Sequence, residues 1–131
     1  MQAPIRILIA DDHAAFRGML QSLLRKLGAE VIECRDGLEA VERFHQVSPD
    51  WVLMDIEMPR LDGLSATARI TASSPQARVV MLTQHDGEDS REAAHEAGAC
   101  GFLAKDKLEM LPAILFPPAR PSKPSDSKSK T

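Results

Sequence analysis

Cysteine is scarce in this chain: 131 residues carry two, Cys34 and Cys100. They lie far apart, form no C-x-x-C pair and have no cluster of candidate ligands nearby, which argues against a disulfide framework or a zinc site. Both are read as buried, reduced thiols of a cytoplasmic protein. Long apolar runs are also missing; none approaches the roughly 18 residues a membrane-spanning helix needs. The N-terminus passes directly into the strand-like IRILIA of residues 5–10, without the n-region and cleavage site of a signal peptide. There is no G-x-G-x-x-G or P-loop pattern, which speaks against a nucleotide-binding protein, and no internal repeat.

Positive charge is short over most of the length. Residues 117–131, PPARPSKPSDSKSKT, hold Arg120 and three lysines against Asp126, a balance of +3, so the overall −3 leaves −6 on residues 1–116. An acidic body argues against a nucleic-acid surface. The tail has four prolines, four serines and no large apolar residue. Such a composition buries too little surface to order itself. The expected organisation is one domain over residues 1–116 and a disordered basic tail, or the start of a linker, over 117–131.

Within that body, five short apolar runs at 5–10, 30–34, 51–55, 78–83 and 101–104 alternate with helix-length segments. The first, third and fourth are apolar almost throughout, as in parallel strands buried on both faces. Phe16, Leu20, Leu23, Leu24 and Leu27 fall at helical spacing, with Gly28 placed as a C′ residue. Leu38, Val41 and Phe44 mark a second helix closed by Ser48-Pro49; a third covers about 64–73 and a fourth 88–97, ending at Gly98. The β-α alternation predicts a doubly wound α/β domain with a five-stranded parallel sheet. The last helix is the exception. Leu108, Leu111 and Leu115 form an apolar stripe, but Pro112 interrupts it and Pro117-Pro118 end it. It is expected to be short, about two turns, leaving the surface around Phe102, Leu111 and Leu115 under-covered.

Functional groups of open parallel sheets gather beyond the carboxyl ends of the strands. Here those ends carry Asp11-Asp12, Asp55, Thr83 and Lys105. Three carboxylates in one pocket repel one another unless a cation sits among them, and one lysine cannot balance three. Oxygen donors without His or Cys at ligand spacing indicate a hard ion, Mg²⁺ or Mn²⁺. A metal, a carboxylate nucleophile, a hydroxyl and an ammonium are the parts for moving a phosphoryl group onto an aspartate.

The motifs ILIADDH (8–13), VLMDIEMPRLDG (52–63), VVMLTQHD (79–86) and GFLAKD (101–106) together resemble the receiver domain of bacterial two-component response regulators. The ADDH opening and KD ending are most similar to receivers of the LuxR-type (NarL/FixJ-like) class, without the DNA-binding domain. The resemblance implies a (βα)5 flavodoxin-like fold with strand order 2-1-3-4-5. It implies that Asp55 accepts a phosphoryl group from a histidine kinase or phosphotransfer protein. Asp12 would bind Mg²⁺ directly and Asp11 largely through water, with the backbone carbonyl of Glu57 completing the protein's share of the shell. Thr83 and Lys105 would bond phosphoryl oxygens, and Phe102 stands where the family keeps a switch aromatic. Glu57 and His85 occupy positions that tune the lifetime of the acyl phosphate. Output would go to a protein partner or a second copy of the chain, with no nucleic acid and no membrane.

Two residues depart from the common pattern: Glu57 is acidic beside the metal, and Gln84 is larger than the residue usual after the switch threonine. Plainer readings stand beside these roles. Asp11 or Asp12 would cap the first helix, Thr83 would merely end a strand, and Phe102 would be permanent core. His13 reads as a surface neighbour, His45 and His95 as solvated, and Met54, Met58 and Met81 as core or loop residues. The rival functions are a Mg²⁺-dependent aspartyl-phosphate phosphatase of the haloacid-dehalogenase type, loosely suggested by Asp55-Ile56-Glu57, and a truncated DNA-binding regulator.

Overall fold

The computed structural model describes residues 3–84 and 87–117. The expected tail beyond Pro117, and His85, lie outside the described residues.

Five strands form one parallel sheet: β1 (Arg6–Ala10), β2 (Glu30–Cys34), β3 (Trp51–Asp55), β4 (Val79–Thr83) and β5 (Gly101–Ala104). Their order is β2-β1-β3-β4-β5, as the resemblance implies. The helices are α1 (Ala14–Lys26), α2 (Gly37–Val47), α3 (Gly63–Ser73), α4 (Glu88–Ala97) and α5 (Leu111–Leu115), with a 3-10 segment (Lys105–Met110) between β5 and α5. The lack of hydrophobic alternation in the central strands has a direct cause: both faces are covered. Leu8, Val52, Met54, Val79 and Met81 meet Ala40, Phe44, Ala66, Ile70 and Ala94 of α2, α3 and α4. Alternate residues Ile7, Ile9, Leu53, Val80 and Leu82 meet Leu20 and Leu24 of α1 and Leu111 and Leu115 of α5. This period of two assigns the strand residues to opposite helical layers.

Helix ends follow local chemistry. Gly28 (φ +93°) and Gly98 (φ +101°) take the left-handed backbone that closes α1 and α4. Asp36 and Asp62 cap α2 and α3, accepting from the backbone N–H of Glu39 and Ser65 at 2.8 Å. At the amino ends of the strands, Arg6 N–H donates to Asp50 Oδ2 (2.8 Å), and the Arg6 guanidinium pairs with Glu30 (3.0 Å). Arg78 donates to the Asp50 carbonyl and stacks 4.4 Å above the Trp51 ring. These contacts clasp the rim of the sheet opposite the Asp11 and Asp55 ends.

Three expectations are corrected. Leu111 and Leu115 are buried, 0% and 4% exposed, so they are not under-covered. Pro112 does not interrupt α5 but lies in its first turn, where the missing N–H costs nothing. The 3-10 segment, bent at Lys107, sets Leu111 and Leu115 directly over the sheet, and Leu108 packs beside them. The five residues of α5 thus bury Leu111 and Leu115, while Phe102 stays half-buried. Cys34 is buried as expected, but Cys100 is exposed, because it sits in the connection between the Gly98 turn and β5.

Two glycines seat the loop after β3. A Cβ on Gly63 would lie 1.9 Å from the Asp55 carbonyl oxygen, and one on Gly37 would lie 2.1 Å from that of Leu61. Gly18, inside α1, has open space around it. Gly63→Ala should therefore destabilise the fold by about 2 kcal/mol or more through backbone displacement. Gly18→Ala should stabilise it by roughly 0.5–1 kcal/mol. Urea unfolding of the two variants checks this pair, and equal effects would contradict the close approach at Gly63.

Candidate functional site

The carboxyl ends of β1, β3, β4 and β5 bring the expected residues together. Asp11 is 1% exposed and Asp55 6% exposed, whereas Asp12 faces solvent. Neither Asp11 nor Asp12 is the N-cap of α1; His13 occupies that position. Asp11 accepts instead from the His13 backbone N–H at 2.8 Å, which fixes its carboxylate. Lys105 Nζ lies 2.7 Å from Asp11 Oδ2 and 3.3 Å from Asp55 Oδ1, so one ammonium bridges two strands. The same ammonium rests 4.4 Å from the centre of the Phe16 ring on α1.

Beside this bridge lies a cavity of about 80 Å³ lined by His13, Asp55, Ile56, Glu57, Thr83, Gln84, Ser90 and Lys105. Thr83 is buried at the end of β4. Glu57 and Gln84 are exposed residues on the cavity wall. The loop that presents Asp55 is held by the Gly63 N–H to the Ile56 carbonyl (2.7 Å) and by Asp62, which caps α3 and is kept below the usual carboxyl range by the Ser65 backbone hydrogen bond. Phe102 stands apart from the cavity, half-buried, with the Arg91 guanidinium 4.9 Å from its ring centre.

Burial first, and the Asp11 carboxylate second, push the Asp55 carboxyl up to about 6 against the opposing pull of Lys105. One ammonium among three carboxylates leaves the site short of positive charge. Ligand-type atoms of Asp11, Asp12, His13 and Asp55 all lie within 4.8 Å of one another. Hard carboxylate oxygens at this spacing fit Mg²⁺ or Mn²⁺.

Ser90 and Phe16 are the parts that sequence reasoning missed; His13, expected as a surface neighbour, is exposed and also lines the cavity. Nothing in the local sequence marks Ser90, which reaches the cavity from the first turns of α4. Along the sequence Phe16 belongs only to the apolar stripe of α1, although that stripe also places its ring under Lys105.

The family model for the response regulator receiver domain matches residues 7–115. The chain belongs to that family. It is 43% identical over 114 residues to the transcriptional regulatory protein PdtaR of Mycobacterium tuberculosis, covering 85% of this chain and 55% of that one. The chain thus spans about half the length of that relative. It is 42% identical over 101 residues to the chemotaxis protein CheY of Bacillus subtilis, covering 76% of this chain and 84% of CheY. Among solved structures, a LuxR-family two-component response regulator from Aurantimonas sp. SI85-9A1 superposes with a TM-score of 0.79 at 35% identity, covering 86% of this chain and 84% of that one. Receiver domains are phosphorylation-controlled signalling switches of two-component systems, not enzymes in the ordinary sense, and they bind Mg²⁺ at an acidic aspartate cluster. They work with histidine kinases or phosphotransfer proteins. The haloacid-dehalogenase-type alternative is not favoured: the receiver match runs through all five strands of this fold.

The raised Asp55 carboxyl has a consequence for stability when divalent ions are chelated. The folded receiver holds this proton more tightly than the unfolded chain, whose carboxyl has the ordinary value of 3.8, so stability falls as pH rises from near 4 through about 6. Asp55→Asn removes that cost. Allowing for solvent at the pocket mouth, the variant should exceed wild type by roughly 1–2 kcal/mol above pH ~7, with the advantage fading towards pH ~4. Urea unfolding in EDTA at the two pH values measures it; an advantage that does not change with pH would contradict the assignment.

Proposed function

We propose that this receiver takes a phosphoryl group onto Asp55 from a phosphohistidine on a histidine kinase or phosphotransfer protein. The observation that carries this reading is the shared cavity of Asp55, Thr83 and Lys105 beside the Asp11–Asp12 pair. Asp11, Asp12 and Asp55, with the Glu57 backbone carbonyl, would hold Mg²⁺, which when bound supplies positive charge to the phosphoryl oxygens. In the transfer, an Asp55 carboxylate oxygen attacks phosphorus, the phosphorus–nitrogen bond of the donor breaks, and its electron pair returns to the donor imidazole. Lys105 donates to one phosphoryl oxygen, having been held in place by Asp11 and the Phe16 ring. Thr83 donates to another. Water attack on the acyl phosphate then restores the Asp55 carboxylate and releases phosphate; Glu57 and His85 stand along the chain where they would tune that rate.

The downstream step rests on Phe102, which turns inward behind Thr83 and alters the face formed by α4, β5 and α5 for a protein partner or a second copy of the chain. The working domain would be residues 1–116, followed by a basic linker or tail, in the cytoplasm. Among the described residues no helix is long and apolar enough to cross a membrane.

Incubation with acetyl phosphate and Mg²⁺ should add one base-labile phosphoryl group at Asp55, detected by mass spectrometry. Asp55→Asn should abolish it and chelation should slow it severely; labelling of Asp55→Asn at the wild-type rate would sink the site assignment. Glu57→Gln should weaken Mg²⁺ binding by less than about 1 kcal/mol, because its side chain is exposed and screened. Calorimetric titration reads this, and identical curves would mean that the Glu57 carboxylate points away from the ion.

A further inference from the structure

His13 occupies the N-cap of α1 with an extended backbone (φ −89°, ψ 105°) but makes no side-chain cap hydrogen bond. Ser, Thr, Asp and Asn are the residues that serve as caps, and α2 and α3 use Asp36 and Asp62 in that way. The His13 ring is turned to the carboxylates instead. Its Nδ1 lies 3.4 Å from Asp11 Oδ1 and 3.4 Å from Asp12 Oδ1. It also lines the cavity that holds Asp55. The backbone beneath it is fixed from both sides, by its N–H to Asp11 Oδ1 (2.8 Å) and by its carbonyl accepting from Arg17 N–H (2.9 Å).

Two ligand atoms at right angles about an ion with bonds of ~2.1 Å lie roughly 3 Å apart. The 3.4 Å separations from Nδ1 to both carboxylates are close to that spacing. An imidazole nitrogen is a softer donor than a carboxylate. It adds little for Mg²⁺, which keeps oxygen ligands and water, and much for the later first-row divalent ions.

We propose that His13, through Nδ1, is a nitrogen donor to the metal centre formed with Asp11, Asp12 and Asp55, and that it makes this receiver bind Co²⁺, Ni²⁺ or Zn²⁺ more tightly relative to Mg²⁺ than the three carboxylates alone would. The inference rests on the reading that those carboxylates hold a divalent ion. The ring binds as the Nε2–H tautomer, with the Nδ1 lone pair directed at the ion. The residue is thus a determinant of metal specificity, separate from the atoms that carry the phosphoryl group.

Calorimetric titration of the full chain with CoCl₂ and with MgCl₂ tests this, alongside the visible absorption of the Co²⁺ complex. His13→Asn should lower Co²⁺ affinity roughly 10- to 100-fold and change Mg²⁺ affinity by less than about threefold, and the Co²⁺ bands should change between the two proteins. An unchanged Co²⁺-to-Mg²⁺ affinity ratio would overturn the proposal, as would an equal loss of both. Asp55→Asn should also weaken Co²⁺ binding; undiminished binding there would put the ion at another site, such as exposed His45 or His95, and overturn it too. Failure of the wild-type chain to bind either ion would sink the metal-centre reading itself, an outcome distinct from Mg²⁺ binding that ignores His13.

Discussion

Asp11 and Asp55 are carboxylates withdrawn from water at the ends of adjacent strands, where like charges repel most, and the Lys105 ammonium stands between them at 2.7 and 3.3 Å. At the effective dielectric of a partly buried site, one such contact is worth about 4 kcal/mol, comparable with the repulsion it opposes. Lys105 arrives at the end of β5, an edge strand. The charge arrangement at β1 and β3 therefore depends on β5 being seated. The buried Leu103, Leu111 and Leu115 seat it, and Phe16 closes the other side of the ammonium. Hydrophobic burial on one face of the sheet thus holds together a site that electrostatics alone would push apart.

Much of this was legible in the residues because the strands are buried on both faces. The apolar runs of β1, β3, β4 and β5 give way at their carboxyl ends to Asp11, Asp55, Thr83 and Lys105, of which the first three are themselves buried. Helix stops were equally plain at Gly28 and Gly98, where the backbone turns left-handed. What was illegible depends on three-dimensional neighbours. Turn counting makes Leu111 and Leu115 look under-covered, yet both are buried once the 3-10 segment sets their angle. Residue type placed Cys100 inside, but its place in the connection before β5 leaves it exposed. His13 is the surface residue its place along the chain suggests, but its ring direction follows from the Asp11 and Asp12 carboxylates beside it, which no helical periodicity encodes.

The α4 side of the domain differs from the rest in how it is held. Thr71 of α3 donates to the Ala97 carbonyl at 2.8 Å, and the Gly98 turn lies against the same Thr71 side chain. This joins the end of α4 to α3. The start of α4 has an exposed first turn, Glu88 and Asp89, after Gly87, with no side-chain cap. Ser90 and Arg91 lie just beyond, one on the cavity and the other over Phe102. Cavity and aromatic ring are therefore in contact with successive residues of one helix.

The clasp of Arg6, Glu30, Asp50, Arg78 and Trp51 gives the opposite rim a different character. A five-residue strand separates it from the carboxylates by about 17 Å, beyond the Debye length of ~8 Å over which exposed charges act in physiological salt. Through solvent, the exposed ion pairs of the clasp therefore couple only weakly to the pocket. In engineering terms the clasp is a mount for the sheet, fixed at the end away from the Asp55 terminal.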